Sequence, residues 1–167
     1  MPVAATLQKT NARPRAAAKS FPNRARYLSF EDFLRKDFGE KHVEWVQGKA
    51  QKLPSVFLDH AELCAFLRVS LGVFAEVHEL GRVYGRPLLM RCDSTLPARC
   101  PDILFVKTEN LTRVTREYLD GAADLVIEIV SEESRSRDRG AKFNEYEAGG
   151  VGEYWILDPA RNRAEFY

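Results

Sequence analysis

Glu128 is placed where a charged side chain is costly. It lies in the middle of residues 125–130, whose other members are Leu, Val and Ile. A β-branched run of this kind is typical of a strand covered on both faces. An ionised side chain there costs several kcal/mol unless it is paired or bound to metal. We therefore expect Glu128 to have a cation as its partner.

Two other charged residues could complete a site around Glu128. Asp102 opens a second strand-like run at 101–106, and Lys142 lies within 134–149, which has the pattern of a helix. Side chains from two strands and one helix can converge on one point. The sequence therefore predicts a cluster of Asp102, Glu128 and Lys142.

Each member of this cluster also has an ordinary structural explanation. Asp102 could be a turn carboxylate at the start of a strand. Glu128 could form a buried salt bridge with Lys142 or Arg139. Lys142 could instead form an exposed helix pair with Asp138, four residues earlier, worth only about 0.3 to 0.5 kcal/mol.

The length and composition bound the class of protein. A chain of 167 residues that is 45% hydrophobic fits one globular domain with a substantial core. It lacks an apolar stretch near the roughly 20 residues that span a membrane, so we expect no membrane partner. The three cysteines are odd in number and have no CxxC spacing, which favours neither a disulfide framework nor a zinc site. A reducing, cytoplasmic compartment is the expectation.

The charge is unevenly distributed along the chain. Residues 1–26 contain six basic residues and no acidic one, so 27–167 contain 19 basic and 24 acidic residues, a net charge of −5. The first 26 residues are predicted to be a basic, mostly disordered tail. A nucleic-acid-binding arm and a targeting segment are the alternatives.

The order of predicted elements is α-β-β-β-α-β. Apolar positions at 57, 61, 64, 67, 71, 74 and 77 predict a long amphipathic helix with these residues, including Cys64, towards the core. Strands at about 82–91, 101–107 and 123–130 follow it, then the helix at 134–149 and a strand at about 152–158.

Further elements are predicted at the two ends and in one connection. A short helix from Ser29 to about Phe38 is followed by a hairpin at 42–50, which we expect to cover one edge of the main sheet. Residues 110–118 are predicted to contain a short helix. The strand that begins at Ala164 has no turn or cap after it, so we expect a domain at 27–167 that is truncated at its C-terminus.

Three stretches resemble the PD-(D/E)XK nuclease superfamily. They are HVEWVQGKA at 42–50, PDILFV at 101–106, and the long stretch ADLVIEIVSEESRSRDRGAKFNEYEAGGVGEYWILDP at 123–159. More narrowly, they are similar to a bacterial family of restriction endonucleases in which a migrated helical lysine replaces the usual one. Val130 stands where the superfamily's simplest pattern has lysine.

The resemblance implies a restriction-endonuclease-like α/β fold, with an αβββαβ core, a mixed central sheet, and an added N-terminal helix and hairpin. It implies an endonuclease that hydrolyses phosphodiester bonds with Mg²⁺ or Mn²⁺, on DNA rather than RNA, and it allows a homodimer. Asp102, Glu128 and Lys142 match the catalytic residues. Asp102, Glu128 and the Ile129 carbonyl would hold the metal.

Four other residues are candidates for supporting roles in such a site. Glu44 is a candidate additional acid, although a half-exposed strand position explains it equally well. His60, at the start of the long helix, could assist substrate or metal binding or be structural. Asp138 could pair with Lys142. Arg139 shares a helix face with Lys142 that is either a solvated stripe or a phosphate contact.

Two other functions remain open from the sequence. The first is a catalytically inactive module of the same fold that binds nucleic acid or protein, with its carboxylates paired to Lys142 and Arg139. The second is an assembly domain that dimerises through a sheet edge and binds no metal.

Overall fold

The computed structural model of the protein describes residues 27–39 and 42–167. The tail predicted at 1–26 lies outside the described residues. The described chain contains four α-helices: α1 (Phe30–Arg35), α2 (Leu58–Val77), α3 (Arg135–Arg139) and α4 (Ala141–Gly149). Its strands are β1 (Val43–Val46), β2 (Lys49–Lys52), β3 (Gly81–Gly85), β4 (Leu89–Arg91), β5 (Ala98–Arg99), β6 (Ile103–Lys107), β7 (Tyr118–Asp120), β8 (Leu125–Ile129), β9 (Glu153–Asp158) and β10 (Arg163–Phe166).

The main sheet has five strands in the order β10-β9-β8-β6-β3. β8 runs parallel to β9, and the other neighbours are antiparallel, so the sheet is mixed. Together with α2, α3 and α4, its strands form the predicted αβββαβ core. The α/β fold is therefore confirmed.

β8 occupies the middle of this sheet, as its apolar sequence predicts. Val126 and Ile127 have no exposed surface, and Ile129 is 2% exposed. Val126 packs in a core cluster with Leu104 and Ile156 from the two neighbouring strands. The apolar run therefore fixes Glu128 in the interior, because its neighbours on both sides along the strand are buried.

A second sheet was not predicted. Its order is β2-β1-β5-β4-β7, and it packs with α1 around a separate apolar cluster that contains Phe30 and Trp45. The predicted hairpin is present, with positive φ at Gln47 and Gly48 as its tight turn requires. Its partner is β5 rather than an edge of the main sheet, so that part of the prediction was wrong.

The strand predicted at 82–91 is two strands in different sheets. β3 pairs with β6 in the main sheet, and β4 pairs with β5 and β7 in the second. Pro87 lies between them and has no N–H to donate to a ladder, which explains the break.

The helix predicted at 134–149 is also divided. Gly140 adopts φ −115° and ψ −95° between α3 and α4, outside the helical region. A short 3₁₀ helix occupies Thr108–Arg113, near the predicted connection helix. Within the described residues, no helix is both long enough and apolar enough to cross a membrane.

The long helix α2 is less buried than its sequence pattern predicts. Phe57 is 69% exposed, Phe74 57% and Val77 70%, and Cys64 is half-buried. Ala75 is the fully buried residue of α2. The predicted set of core positions on this helix was therefore wrong in part, because apolar residues surround the helix rather than forming one stripe.

Candidate functional site

A small cavity lies where the ends of β6 and β8 meet α2, α3 and α4. Its volume is about 20 Å³, enough for one water molecule or ion. Its polar lining comes from eight elements or loops of the chain. The lining includes Ser55, His60, Arg86, Asp102, Glu128, Ile129, Ser131, Ser134, Arg137, Asp138 and Lys142.

Glu128 lines this cavity and is 1% exposed. Its Oε1 accepts hydrogen bonds from Lys142 Nζ at 2.7 Å and Tyr146 Oη at 2.9 Å. Both donors come from α4, where residues four apart lie on one face. Burial raises the pKa of Glu128 to about 8, with Asp102 and Asp138 adding to the rise and Lys142 opposing it.

Lys142 joins three carboxylates in the interior. Besides Glu128, its Nζ lies 3.2 Å from Asp138 Oδ1 and 3.7 Å from Glu44 Oε1. Burial would lower the pKa of this ammonium, but the three carboxylates outweigh burial and raise it. The pair with Asp138, considered from sequence as an exposed helix pair, is buried.

Asp102 precedes β6 and lines the cavity. Its Oδ2 accepts a 2.8 Å hydrogen bond from the Ile129 N–H. Its Oδ1 lies 2.7 Å from Arg86 Nη2 and 3.2 Å from His60 Nε2. Burial acts to raise the pKa of Asp102, but His60 and Arg86 reverse that effect and lower it.

Glu44 supports the site from β1 in the second sheet. It has no exposed surface, and it accepts hydrogen bonds from Arg99 at 2.9 Å and from the Cys100 N–H at 3.1 Å. Arg99 also donates to Glu145 on α4, at 2.7 and 2.8 Å. The half-exposed position considered for Glu44 was wrong, because Arg99, the Cys100 N–H and Lys142 enclose its carboxylate.

The structure brings most of the candidate residues to the cavity. Asp102, Glu128, Ile129, Lys142, His60 and Asp138 line it, and Glu44 reaches it through Lys142. Arg139 turns away and binds Glu165 at 2.9 Å and Asp158 at 3.4 Å. Arg139 is therefore not the partner of Glu128, whereas Lys142 is.

Sequence reasoning missed several residues of the candidate site, among them Tyr146, Arg99 and Arg86. Tyr146 follows Lys142 by four residues, so helical spacing could have placed it on the same face. Arg99 could have been noticed as a charge in the short apolar stretch before Pro101. Nothing in the sequence marks Arg86, because its approach to Asp102 depends on the path between β3 and β4.

The carboxylates of this site outnumber its close cations. Glu44, Asp102, Glu128, Asp138 and Glu145 are joined by Lys142, Arg86 and Arg99 at distances of 3.7 Å or less. Arg137 is farther away, with its Nε 4.0 Å from Asp138 Oδ1. Once Glu128 is ionised, this cluster has more carboxylates than close cations, which favours binding of a further cation.

The donor set also fits a hard divalent cation. Asp102 Oδ1 is a buried carboxylate oxygen that faces Arg86 and His60, and the bonds found to Glu128 within the described chain leave Oε2 without a donor. Among the described residues, no group of three or more His, Cys, Asp or Glu forms a ready-made metal site. Water would have to supply further ligands, as is usual for Mg²⁺.

A structural relative shares the fold. A crystal structure of "a putative nuclease belonging to DUF820" from Anabaena variabilis matches with a TM-score of 0.67 and 16% identity, covering 84% of each chain. At 16% identity, this match shows a similar fold and no more. No curated protein gives a significant match.

A protein family matches most of the chain. The profile of the Uma2 family, described as "Putative restriction endonuclease", matches residues 30–167. This region includes both sheets and every residue that lines the cavity. The chain therefore belongs to the Uma2 family of restriction-endonuclease-like proteins.

Proposed function

We propose that this protein is a divalent-metal-dependent endonuclease that hydrolyses phosphodiester bonds in DNA, with its active centre at the cavity between β6, β8 and α4. The observation that carries the proposal is the buried surplus of carboxylates around Asp102 and Glu128. Membership of the family supports a nuclease-like function, and divalent metals are general in restriction-endonuclease-like proteins. We prefer DNA as the substrate because the family is described as a restriction endonuclease family.

Asp102 and Glu128 would hold the cation, Mg²⁺ or Mn²⁺, with the Ile129 carbonyl as a further oxygen ligand. When bound, the cation would activate water and offset the charge that develops on the phosphate. Lys142 holds Glu128 and lines the cavity, so it can also orient a nucleophilic water or stabilise transition-state charge. His60, on α2, lies 3.2 Å from Asp102 Oδ1 and would help to orient this carboxylate.

Two arginines supply a positive surface for the substrate phosphate. Arg86 and Arg137 both line the cavity, and the buried Nε atom of each has no hydrogen-bond partner among the described residues. A guanidinium with unused donors is well suited to phosphate oxygens. We therefore assign the phosphate to the part of the cavity lined by Arg86 and Arg137.

The first test is calorimetric titration with Mg²⁺ and Mn²⁺, comparing wild type with Glu128→Gln. We expect binding by wild type and its loss in the variant, because the amide replaces a carboxylate ligand. Glu109→Gln is a matched control, since Glu109 is exposed and outside the cavity. A plasmid-nicking assay with the same proteins should show metal-dependent cleavage that Glu128→Gln lacks.

An inactive binding module of the same fold is the competing function. In that case Asp102→Asn would leave stability unchanged or higher and would leave nucleic-acid binding intact. Loss of metal-dependent cleavage in Asp102→Asn, with DNA binding retained, would exclude that module. Absence of metal binding by wild type would refute the nuclease proposal.

A further inference from the structure

Three consecutive apolar residues are exposed at the start of α2. Val56 is 47% exposed, Phe57 69% and Leu58 70%. A run of exposed apolar side chains is unfavourable in a folded domain unless it has a function. Val56 and Phe57 also line the cavity that contains Asp102 and Glu128. The exposed apolar run therefore borders the candidate site.

Helix stability does not explain an aromatic residue at position 57. Phe57 is the N-cap of α2, and its side chain makes no capping hydrogen bond. Ser, Thr, Asp and Asn are preferred at N-caps because their side chains accept a hydrogen bond from the first turn. Phenylalanine at this position gives up that hydrogen bond and presents an aromatic ring to the solvent beside the cavity.

Phe57 shares one side of α2 with residues that contact the site. The spacings from Phe57 to His60, Cys64 and Arg68 are three, four and four residues, so these residues lie along one side of the helix. His60 Nε2 is 3.2 Å from Asp102 Oδ1, and Cys64 Sγ donates to the Asp102 carbonyl at 3.8 Å. Phe57 is therefore one helical turn from a residue that contacts Asp102.

Basic side chains lie close to this side of α2. Arg86 and Arg137 line the cavity together with Phe57. Arg68 is exposed, and its Cδ would lie 2.9 Å from a Cβ built on Gly85, the residue before Arg86. Phosphates of a strand that passes Phe57 can therefore contact arginines in the cavity and along α2.

The acidic residues near the start of α2 lie elsewhere on the helix. Asp59 and Glu62 are exposed and follow Phe57 by two and five residues. At about 100° per residue, both lie on the opposite side of α2 from Phe57 and Arg68. The side of α2 next to the cavity therefore combines an aromatic ring with positive charge.

This combination is typical of proteins that bind single-stranded nucleic acid. Such proteins hold the backbone with basic groups and stack the bases on aromatic side chains. A base inside an intact duplex has both faces covered by its neighbours, so it cannot stack on Phe57. The ligand that fits is a strand with an unpaired base next to the phosphate in the cavity.

We propose that Phe57 stacks on an unpaired base beside the phosphate held by Arg86 and Arg137, so that the protein prefers single-stranded or locally unpaired DNA to intact duplex. Val56 and Leu58 would extend the apolar surface beneath this base. Arg68 would contact a phosphate further along the same strand. The inference rests on the proposed function, because that function places a DNA phosphate in the cavity.

The test is fluorescence anisotropy of the full chain with a labelled single-stranded oligonucleotide and with its duplex, each with and without Ca²⁺. Phe57→Ala should weaken single-strand binding about 5- to 100-fold and duplex binding little, whereas Phe57→Trp should retain single-strand binding. Phe57 is exposed, so both variants should fold. Phe166→Ala is the matched control and should change neither affinity, because Phe166 is 64% exposed on β10 and outside the cavity.

An abasic scan separates stacking from a general loss of binding. Removing one base at a time from the oligonucleotide should identify a position at which wild type loses as much affinity as Phe57→Ala loses. With the base absent at that position, Phe57→Ala should weaken binding no further, because both changes remove the same contact.

The outcomes distinguish this inference from the proposed function. Unchanged single-strand binding by Phe57→Ala, an equal loss of duplex binding, or no DNA binding by wild type under either condition would overturn the inference. Metal-dependent cleavage by a protein that gives one of these results would refute the inference alone. Single-strand binding that depends on Phe57, in a protein that neither binds Mg²⁺ nor cleaves DNA, would refute the proposed function alone.

Discussion

Glu128 is a buried carboxylate whose protonation should affect folding. Its pKa rises from 4.5 to about 8 on folding, mainly through burial. Between these values the unfolded chain releases the proton and the folded chain retains it, so folding stability falls as pH rises. Below about 4.5 both states are protonated, and above about 8 neither is.

We therefore predict that wild type loses stability relative to Glu128→Gln between pH 5 and pH 8 in metal-free buffer. The expected slope is at most about 1.4 kcal/mol per pH unit, and the difference should level off above pH 8. Urea unfolding of both proteins at several pH values measures it. If the free energy of unfolding changes with pH in the same way in both proteins, the raised pKa of Glu128 is contradicted.

Tyr146 should act on the candidate site through Glu128. Tyr146→Phe removes one of the two donors to Glu128 Oε1 and should cost about 1.5 to 3 kcal/mol. Because the remaining donor orients the carboxylate less firmly, divalent-cation affinity should fall by about tenfold. Calorimetric titration measures the affinity, and urea unfolding measures the stability.

Tyr154→Phe is the matched control for this prediction. Its hydroxyl is also buried, but it donates to the Asp138 carbonyl at 3.0 Å. We expect a similar kind of destabilisation with unchanged cation affinity. If the two variants lose cation affinity equally, Tyr146 acts by stabilising the fold in general and not by orienting Glu128.

The break between α3 and α4 sets the position of the residues that hold Glu128. A Cβ on Gly140 would lie 2.8 Å from the Ser136 carbonyl oxygen, so Gly140→Ala must displace one helix from the other. We predict a loss of about 1 to 3 kcal/mol in stability, together with weaker cation binding, because Lys142 and Tyr146 lie on the displaced helix.

Gly150→Ala is the comparison at the other end of α4. Gly150 has φ +78° and caps the helix, so alanine there should cost about 1 to 2 kcal/mol through backbone strain. Because this change leaves the start of α4 in place, cation affinity should remain. A Gly140→Ala protein with normal cation affinity would show that the break does not position the site.

The sequence predicted the elements whose patterns are long and strong. The apolar run of β8 and the helical spacing after Ser134 were sufficient to bring Glu128 and Lys142 together. The second sheet could not be predicted, because β5 has two residues, β4 and β7 have three each, and their pairing is long-range. The contacts of Arg86 and Arg99 depend on that pairing, so they were missed for the same reason.

At the scale of the whole molecule, charge separates the candidate site from the tail. Residues 27–167 have a net charge of −5, and 1–26 contain six basic residues. Every residue assigned to the cavity lies in the acidic part. Cation binding should therefore survive removal of the tail, whereas attraction to a polyanion should not.

We predict that a protein starting at residue 27 keeps wild-type Mg²⁺ affinity but binds DNA more weakly. If all six basic residues contact phosphates, the slope of log affinity against log salt should become shallower by about 5. Fluorescence anisotropy with labelled duplex DNA between about 50 and 200 mM salt would measure this change. Replacing the six basic residues by Gln in the full chain should have the same effect, because charge and not length is the cause. An unchanged slope in both variants would mean that DNA is held by the folded part alone, through Arg86, Arg137 and the bound cation.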